Sequence, residues 1–155
     1  MFRQMRRFKQ QASEDECREI LTKGKRGVLA VLGDNEYPYT VPMDYVFEEG
    51  HIYFHCAKEG HKLDAIRKHD KVSFCVLSDG VQEENDWWYH FTSIIVFGRI
   101  SEVTDEKERD RYLRLLGSKY FPNEEHLEKE MKAAPNTLML DLKIEHMTGK
   151  HVREN

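Results

Sequence analysis

Long apolar runs are missing from this sequence: none approaches the roughly 20 residues that a bilayer-spanning helix needs. Arg and Gln interrupt the first ten residues, so no signal peptide is expected. Cysteine is scarce. Cys17, Cys56 and Cys75 form an odd set without CxxC spacing, which points to reduced thiols in a cytoplasmic protein rather than a disulfide framework. Positive charge is not in excess, since 24 Lys and Arg face 28 Asp and Glu for a formal net charge of -4. That balance disfavours a dedicated nucleic-acid binder, and Arg3, Arg6, Arg7 and Lys9 read as a solvated arm. No GxGxxG fingerprint occurs, so any nicotinamide would bind outside a Rossmann site. Internal repeats and low-complexity segments are also absent.

What is present reads as one domain over residues 1–155, with an N-terminal arm at 1–12 and a C-terminal tail at 146–155. A chain of this length buries about 70% of its unfolded surface, enough for a core without staples. Its organising stretch is 37–62. Tyr39, Val41, Met43, Tyr45 and Phe47 alternate with Thr40, Pro42, Asp44 and Val46, the two-residue period of a strand. Glu48-Glu49-Gly50 makes a turn, and Ile52, Phe54 and Cys56 define a return strand. At Glu59-Gly60-His61-Lys62 the apolar spacing becomes helical, and a helix is predicted over 61–69. A glycine at a strand-to-helix junction, with Lys62 in the first turn, is a candidate anion seat: free N–H groups and the helix dipole favour a phosphate there.

Elsewhere, Ser13-Glu14-Asp15-Glu16 is a capping box ahead of a helix with Cys17, Ile20 and Leu21 on one stripe. Residues 27–32 form a continuous apolar strand, and 71–77 form another. The polar segment 78–86 is a loop, and 87–103 reads as a long strand bent at Gly98. Helices are predicted at 105–121, with Tyr112, Leu115 and Leu116 buried, and at 124–133, capped by Asn123. The last strand spans 137–145, with Leu138, Leu140, Leu142 and Ile144 on one face. Six strands joined mostly by short turns favour antiparallel pairing in a mainly β fold, a small barrel with peripheral helices. A doubly wound parallel sheet would need crossover helices that the sequence lacks.

Taken in order, Val41-Pro42-Met43-Asp44-Tyr45, Ile52-Tyr53-Phe54-His55-Cys56-Ala57, Glu59-Gly60-His61-Lys62-Leu63, Ser93-Ile94-Ile95-Val96-Phe97-Gly98, Tyr120-Phe121-Pro122 and 144–150 resemble the pyridoxamine 5′-phosphate oxidase-like flavoproteins. Within them the chain looks most similar to the nitroimidazole-resistance branch. The resemblance implies a six-stranded antiparallel split β-barrel that forms a homodimer and holds FMN at the subunit interface. It implies that Pro42, Met43 and Asp44 line the isoalloxazine ring. His55, Cys56 and Ala57 would run beneath ribityl and phosphate, with His61 and Lys62 closing on the phosphate. Thr92 and Ser93, from the other chain, would bond phosphate or ribityl oxygens, and Lys150 would lie near the flavin edge. The substrate-binding arginines of the pyridoxamine oxidase side have no counterpart in this sequence.

Each of these residues has a plainer reading. Lys62 can be an ordinary solvated lysine, and Lys150 an exposed residue in a turn. His55 is either a histidine satisfied by the backbone or, beside the flavin, a catalytic group whose near-neutral pKa suits proton donation to a reduced nitro group. Zinc is not expected, because His55 and Cys56 are adjacent on a strand and point to opposite faces. Trp87, Trp88, Tyr89 and Phe91 read as core and interface packing or as an aromatic wall over a planar ligand. The leading expectation is an FMN-binding oxidoreductase acting on nitroimidazole-type or other small planar acceptors. The alternatives are a non-enzymatic flavin or redox-sensing module, and a haem-binding split barrel using His55, His61 or His146 as axial ligand.

Overall fold

A computed structural model describes residues 1–153. The chain folds into one seven-stranded sheet curled into a half-barrel, with strands β1 (Arg26–Leu32), β2 (Pro38–Asp44), β3 (Val46–Glu48), β4 (His51–Cys56), β5 (Lys71–Leu77), β6 (Phe91–Glu102) and β7 (Leu138–Val152). Every pairing is antiparallel, in the order β2-β1-β5-β6-β7-β4-β3. This is the mainly β split barrel expected from the sequence, with seven strands in place of six. Four helices surround it: α1 (Glu14–Lys23), α2 (His61–Lys68), α3 (Glu106–Tyr120) and α4 (Glu124–Met131). Their starts follow the sequence signals. The Ser13–Glu16 capping box forms in both directions, Asp105 accepts from Glu108 N, and Asn123 accepts from His126 N. Among the described residues no helix is long and apolar enough to cross a membrane.

Alternation decides what fills the barrel. Leu29 and Val31, Ile52 and Phe54, Phe74 and Val76, Ile94 and Val96, and Leu140 and Leu142 all point inward and form the main core. A second cluster lies outside the sheet, where Val46, Tyr53 and Met139 meet Leu116 of α3, and Tyr53 stacks on Tyr112 at 3.8 Å.

The strand read across 39–47 is divided at Tyr45. The cause is a residue 75 positions away. Tyr45 N donates to the Tyr120 hydroxyl at 3.0 Å, and that hydroxyl in turn donates towards Tyr45 O (2.9 Å) and Lys25 O (2.5 Å). A side chain thus replaces the ladder partners, and β2 and β3 go to opposite edges of the sheet. The Tyr45 ring is buried and donates its hydroxyl to Leu21 O at 2.7 Å. Lys119 completes the seal. Its ammonium donates to Gly24 O and to Tyr45 O and lies 4.1 Å from the Tyr45 ring centroid.

Burial, reinforced by the nearby Lys25 charge, pulls Lys119 down to about 8. The folded state therefore sheds this proton before the unfolded chain does. Between about pH 8 and 10.5 the unfolded state binds more protons, so this group's contribution to stability rises with pH across that window. The expected result is a melting temperature of the native protein that climbs relative to Lys119→Met as pH increases from about 8 to 10. A constant difference would show that the ammonium stays charged in the seal.

Four other stretches differ from the sequence reading. The 87–103 strand begins at Phe91, because Asp86 accepts from Trp88 N (3.1 Å) and pairs with His90 Nε2 (2.5 Å), turning the chain before the ladder starts. Trp87, Trp88 and Tyr89 are consequently exposed rather than core. The tail at 146–155 continues β7 through Val152, while residues 154 and 155 lie outside the described residues. Its continuation was hidden by a bulge: Phe97 pairs with His146 but Gly98 with Ile144, so the inward phase shifts at Glu145. The 1–12 arm keeps Arg3, Arg6, Arg7 and Lys9 exposed as expected but is anchored at other points: Phe2 stacks on His146 at 4.6 Å, Gln11 bridges Lys150, and Ala12 is buried. Finally, β1 is not buried on both sides. Val28 and Leu32 face outward, opposite Pro42 and Pro38 of the edge strand β2.

Candidate functional site

Two of the sequence-identified positions meet at one cavity. On β4, Ile52, Phe54 and Cys56 take the barrel face, so His55 is turned outward toward α3 and α4 and is exposed. Asp44 ends β2 just before the break, half-buried and paired through Oδ1 with Arg26 Nε at 2.9 Å. Asp44 and His55 both line a cavity of about 200 Å³ whose walls are mainly apolar, including Leu113, Leu127, Met131 and the Tyr120 ring. A mainly apolar cavity of this kind can hold part of a ring by packing while a carboxylate and an imidazole supply polar contacts.

The chain leaves β4 through exposed Ala57 and enters α2 at Gly60, whose φ of +136° favours glycine. No side chain caps this helix, and a Cβ on Gly60 would meet nothing within 4 Å. Gly60 O accepts from Leu63 N and Asp64 N, which leaves the amides of His61 and Lys62 as the first-turn donors without an intrahelical acceptor. Lys62 is partly exposed beside them. His61 is committed elsewhere: its ring stacks on Tyr39 at 4.3 Å and Nε2 accepts from Asp34 N at 3.3 Å. Cys56 is buried and its thiol pushed up by desolvation, against the opposing pull of the Lys62 charge. Met43 points into the core, so only its backbone is offered outward, whereas the Pro42 ring is exposed.

The remaining residues lie at the other end of the sheet. Thr92 is buried, with Oγ1 2.9 Å from His151 Nδ1, and Ser93 pairs with Lys150. The α2 end of β6 is marked by Glu102, which accepts two bonds from Arg67 (3.1 and 2.6 Å). From Ser93 to Glu102 the strand runs about 30 Å at ~3.3 Å per residue. A single chain therefore does not bring Thr92, Ser93 and Lys150 to Lys62. Between the two ends, the outer face of β1, β5 and β6 exposes Val28, Ile95 and Phe97. Among the described residues, no group of three or more His, Cys, Asp or Glu side chains is placed to hold a metal ion.

Sequence reasoning placed Tyr120 in the family-like Tyr120-Phe121-Pro122 element but gave neither it nor Lys119 a role, although Tyr120 both walls the cavity and fixes the end of β2. An aromatic in the last turn of a helix has no periodicity that would set it apart.

A family model described as pyridoxamine 5′-phosphate oxidase matches residues 13–151. Among solved structures, a candidate 5-nitroimidazole antibiotic resistance protein from Bacteroides thetaiotaomicron superposes with a TM-score of 0.78 at 18% identity, covering 90% of this chain and 84% of that one. The flavocytochrome Anf3 from Azotobacter vinelandii gives 0.79 at 19%, covering 97% and 73%. An FAD-binding protein from Mesorhizobium loti gives 0.68 at 24%, covering 92% and 97%. At such identities the likeness is one of fold. No functionally curated protein matches the chain in sequence. The family match extends from the capped start of α1 to the penultimate residue of β7, and the chain belongs to the pyridoxamine 5′-phosphate oxidase family.

Proposed function

We propose that this chain is an FMN-binding oxidoreductase that reduces small planar acceptors of the nitroimidazole type, working as a homodimer. The observation that carries the reading is the shared cavity of Asp44 and His55, one short loop from the uncapped start of α2, within a fold whose solved relatives include flavin binders. The residues fit the cofactor: the first-turn amides, the open space over Gly60 and the Lys62 ammonium make a seat for a phosphate dianion. Pro42, the Met43 backbone and Asp44 would run along the ring. Cys56 and Ala57 would underlie the ribityl chain, and His61, fixed by Tyr39, would brace the phosphate end. His55, exposed to the cavity, would deliver a proton to the acceptor. Bound flavin would supply the electron transfer between a cellular reductant and the acceptor.

The distance between the two ends of the sheet is the argument for two chains. Copies laid antiparallel on the outer face, burying Val28, Ile95 and Phe97, would carry Thr92, Ser93 and Lys150 of one to the Lys62 end of the other. In a fluorescence titration, Lys62→Ala is expected to weaken FMN binding by about 1.5–3 kcal/mol, the value of a charged hydrogen bond. Unchanged affinity would remove the phosphate assignment. Turnover is expected with NADH or NADPH and nitro compounds; its absence in a flavin-loaded protein would leave a binding or redox-sensing module. The likeness to a flavocytochrome favours haem as the second reading. His61 is stacked on Tyr39 and His146 on Phe2, which leaves His55 as the axial candidate, and a Soret band in place of flavin absorption would decide for it.

A further inference from the structure

Both tryptophans of the chain sit in the loop between β5 and β6, with Trp87 84% exposed, Trp88 42% and the following Tyr89 57%. Solvated aromatic surface of this extent is unusual for a free-standing protein. Nor is the loop loose. Asp86 ties Trp88 N and His90 together, Val81 and His90 exchange backbone bonds at 2.9 and 2.8 Å, and Tyr89 lies so close over Gly80 that a Cβ there would overlap its ring. A rigid loop with exposed indoles is prepared for a contact, because little entropy remains to be lost on docking.

Charge identifies the partner surface. Residues 79–89 hold four acidic side chains and no Lys or Arg, whereas 57–71, around α2, hold five Lys or Arg against three acids. Within one chain these two regions lie at opposite ends of β6, about 30 Å apart at ~3.3 Å per residue, so a chain cannot pair them with itself. Exposed Leu77 and Ile95 make the loop continuous with the outer sheet face.

We infer that the 78–90 loop is a clamp acting between copies: its aromatic tip and acidic shoulder pack on the α2 end of a second copy of this chain, walling the ligand seat there. The inference rests on the dimeric flavin reading above. It adds a partner-supplied wall that selects for flat ligands.

Because no other tryptophan exists, indole emission reports this loop alone. FMN is titrated into the full-length protein while tryptophan emission and light scattering are followed. The expected result is a dimer whose emission is largely lost as FMN saturates. Trp87→Ala/Trp88→Ala should remain a folded dimer and bind FMN roughly tenfold more weakly, the scale of an aromatic contact. Glu83→Lys/Glu84→Lys should restore emission, and adding Lys68→Glu/Lys71→Glu should quench it again; all four positions are exposed, so the fold tolerates them. A flavin-loaded dimer with unquenched tryptophans, in which the double tryptophan variant binds FMN like the native protein, overturns the clamp and leaves the flavin reading standing. A colourless monomer that takes up no FMN overturns both.

Discussion

Tyr120→Phe is expected to lower the unfolding free energy by about 1–3 kcal/mol, a large loss for the removal of one oxygen. The hydroxyl is the acceptor for Tyr45 N and a donor shared between Tyr45 O and Lys25 O. Phenylalanine fills the same space but leaves the N–H of a fully buried residue without its acceptor, while Tyr45 O keeps only the Lys119 ammonium. Each unsatisfied group costs about 1–3 kcal/mol, which is why the effect exceeds that of a typical hydrogen bond. Urea denaturation with an unchanged m-value is the check. A loss under about 0.5 kcal/mol would mean that water takes over the hydroxyl's bonds. Because Tyr120 and Asp44 line the same cavity, the loosening should reach the end of β2.

Gly98→Ala is expected to be at least as damaging. A Cβ at this position would fall 2.1 Å from Lys143 O and 2.9 Å from Leu142 Cδ1. The carbonyl cannot retreat, because β7 is paired with β6 on one side and with β4 on the other. The glycine therefore allows the bulge that re-phases β7, and alanine would force two central strands apart. A cost of roughly 3 kcal/mol or more is expected, a drop in melting temperature of about 6–12 °C for a chain of this size. A variant melting within about 2 °C of the native protein would refute the close approach.

Local physics was readable where it acts over a few residues. Ser13, Asp105 and Asn123 cap helices as their spacing foretold, and alternation on β4 put His55 and Cys56 on opposite faces. The same alternation failed at Tyr45, where the deciding partner is a hydroxyl 75 residues later. It failed again at Glu145, where a bulge shifts the phase. The 87–89 aromatics were misplaced for a related reason: apolar composition does not record that Asp86 has already turned the chain. Of the site, Asp44, His55 and the open first turn of α2 were legible. That Ser93 lies about 30 Å along β6 from Glu102, which marks the α2 end, was not, since distance across a sheet depends on register and not on motif.

The prolines of β2 bear on whether the edges of the sheet can be extended by another strand. Pro38 and Pro42 stand opposite Leu32 and Val28, four residues apart and so in the same phase. Proline is tolerated in a strand where its missing N–H would face away from the neighbour, which here is the open edge of the sheet. That edge is therefore short of donors at both positions, and the opposite edge, β3, is only three residues long. Neither offers a template on which another strand could grow. Runaway edge-to-edge polymerisation, the usual hazard of an open sheet, is therefore disfavoured by composition at both edges.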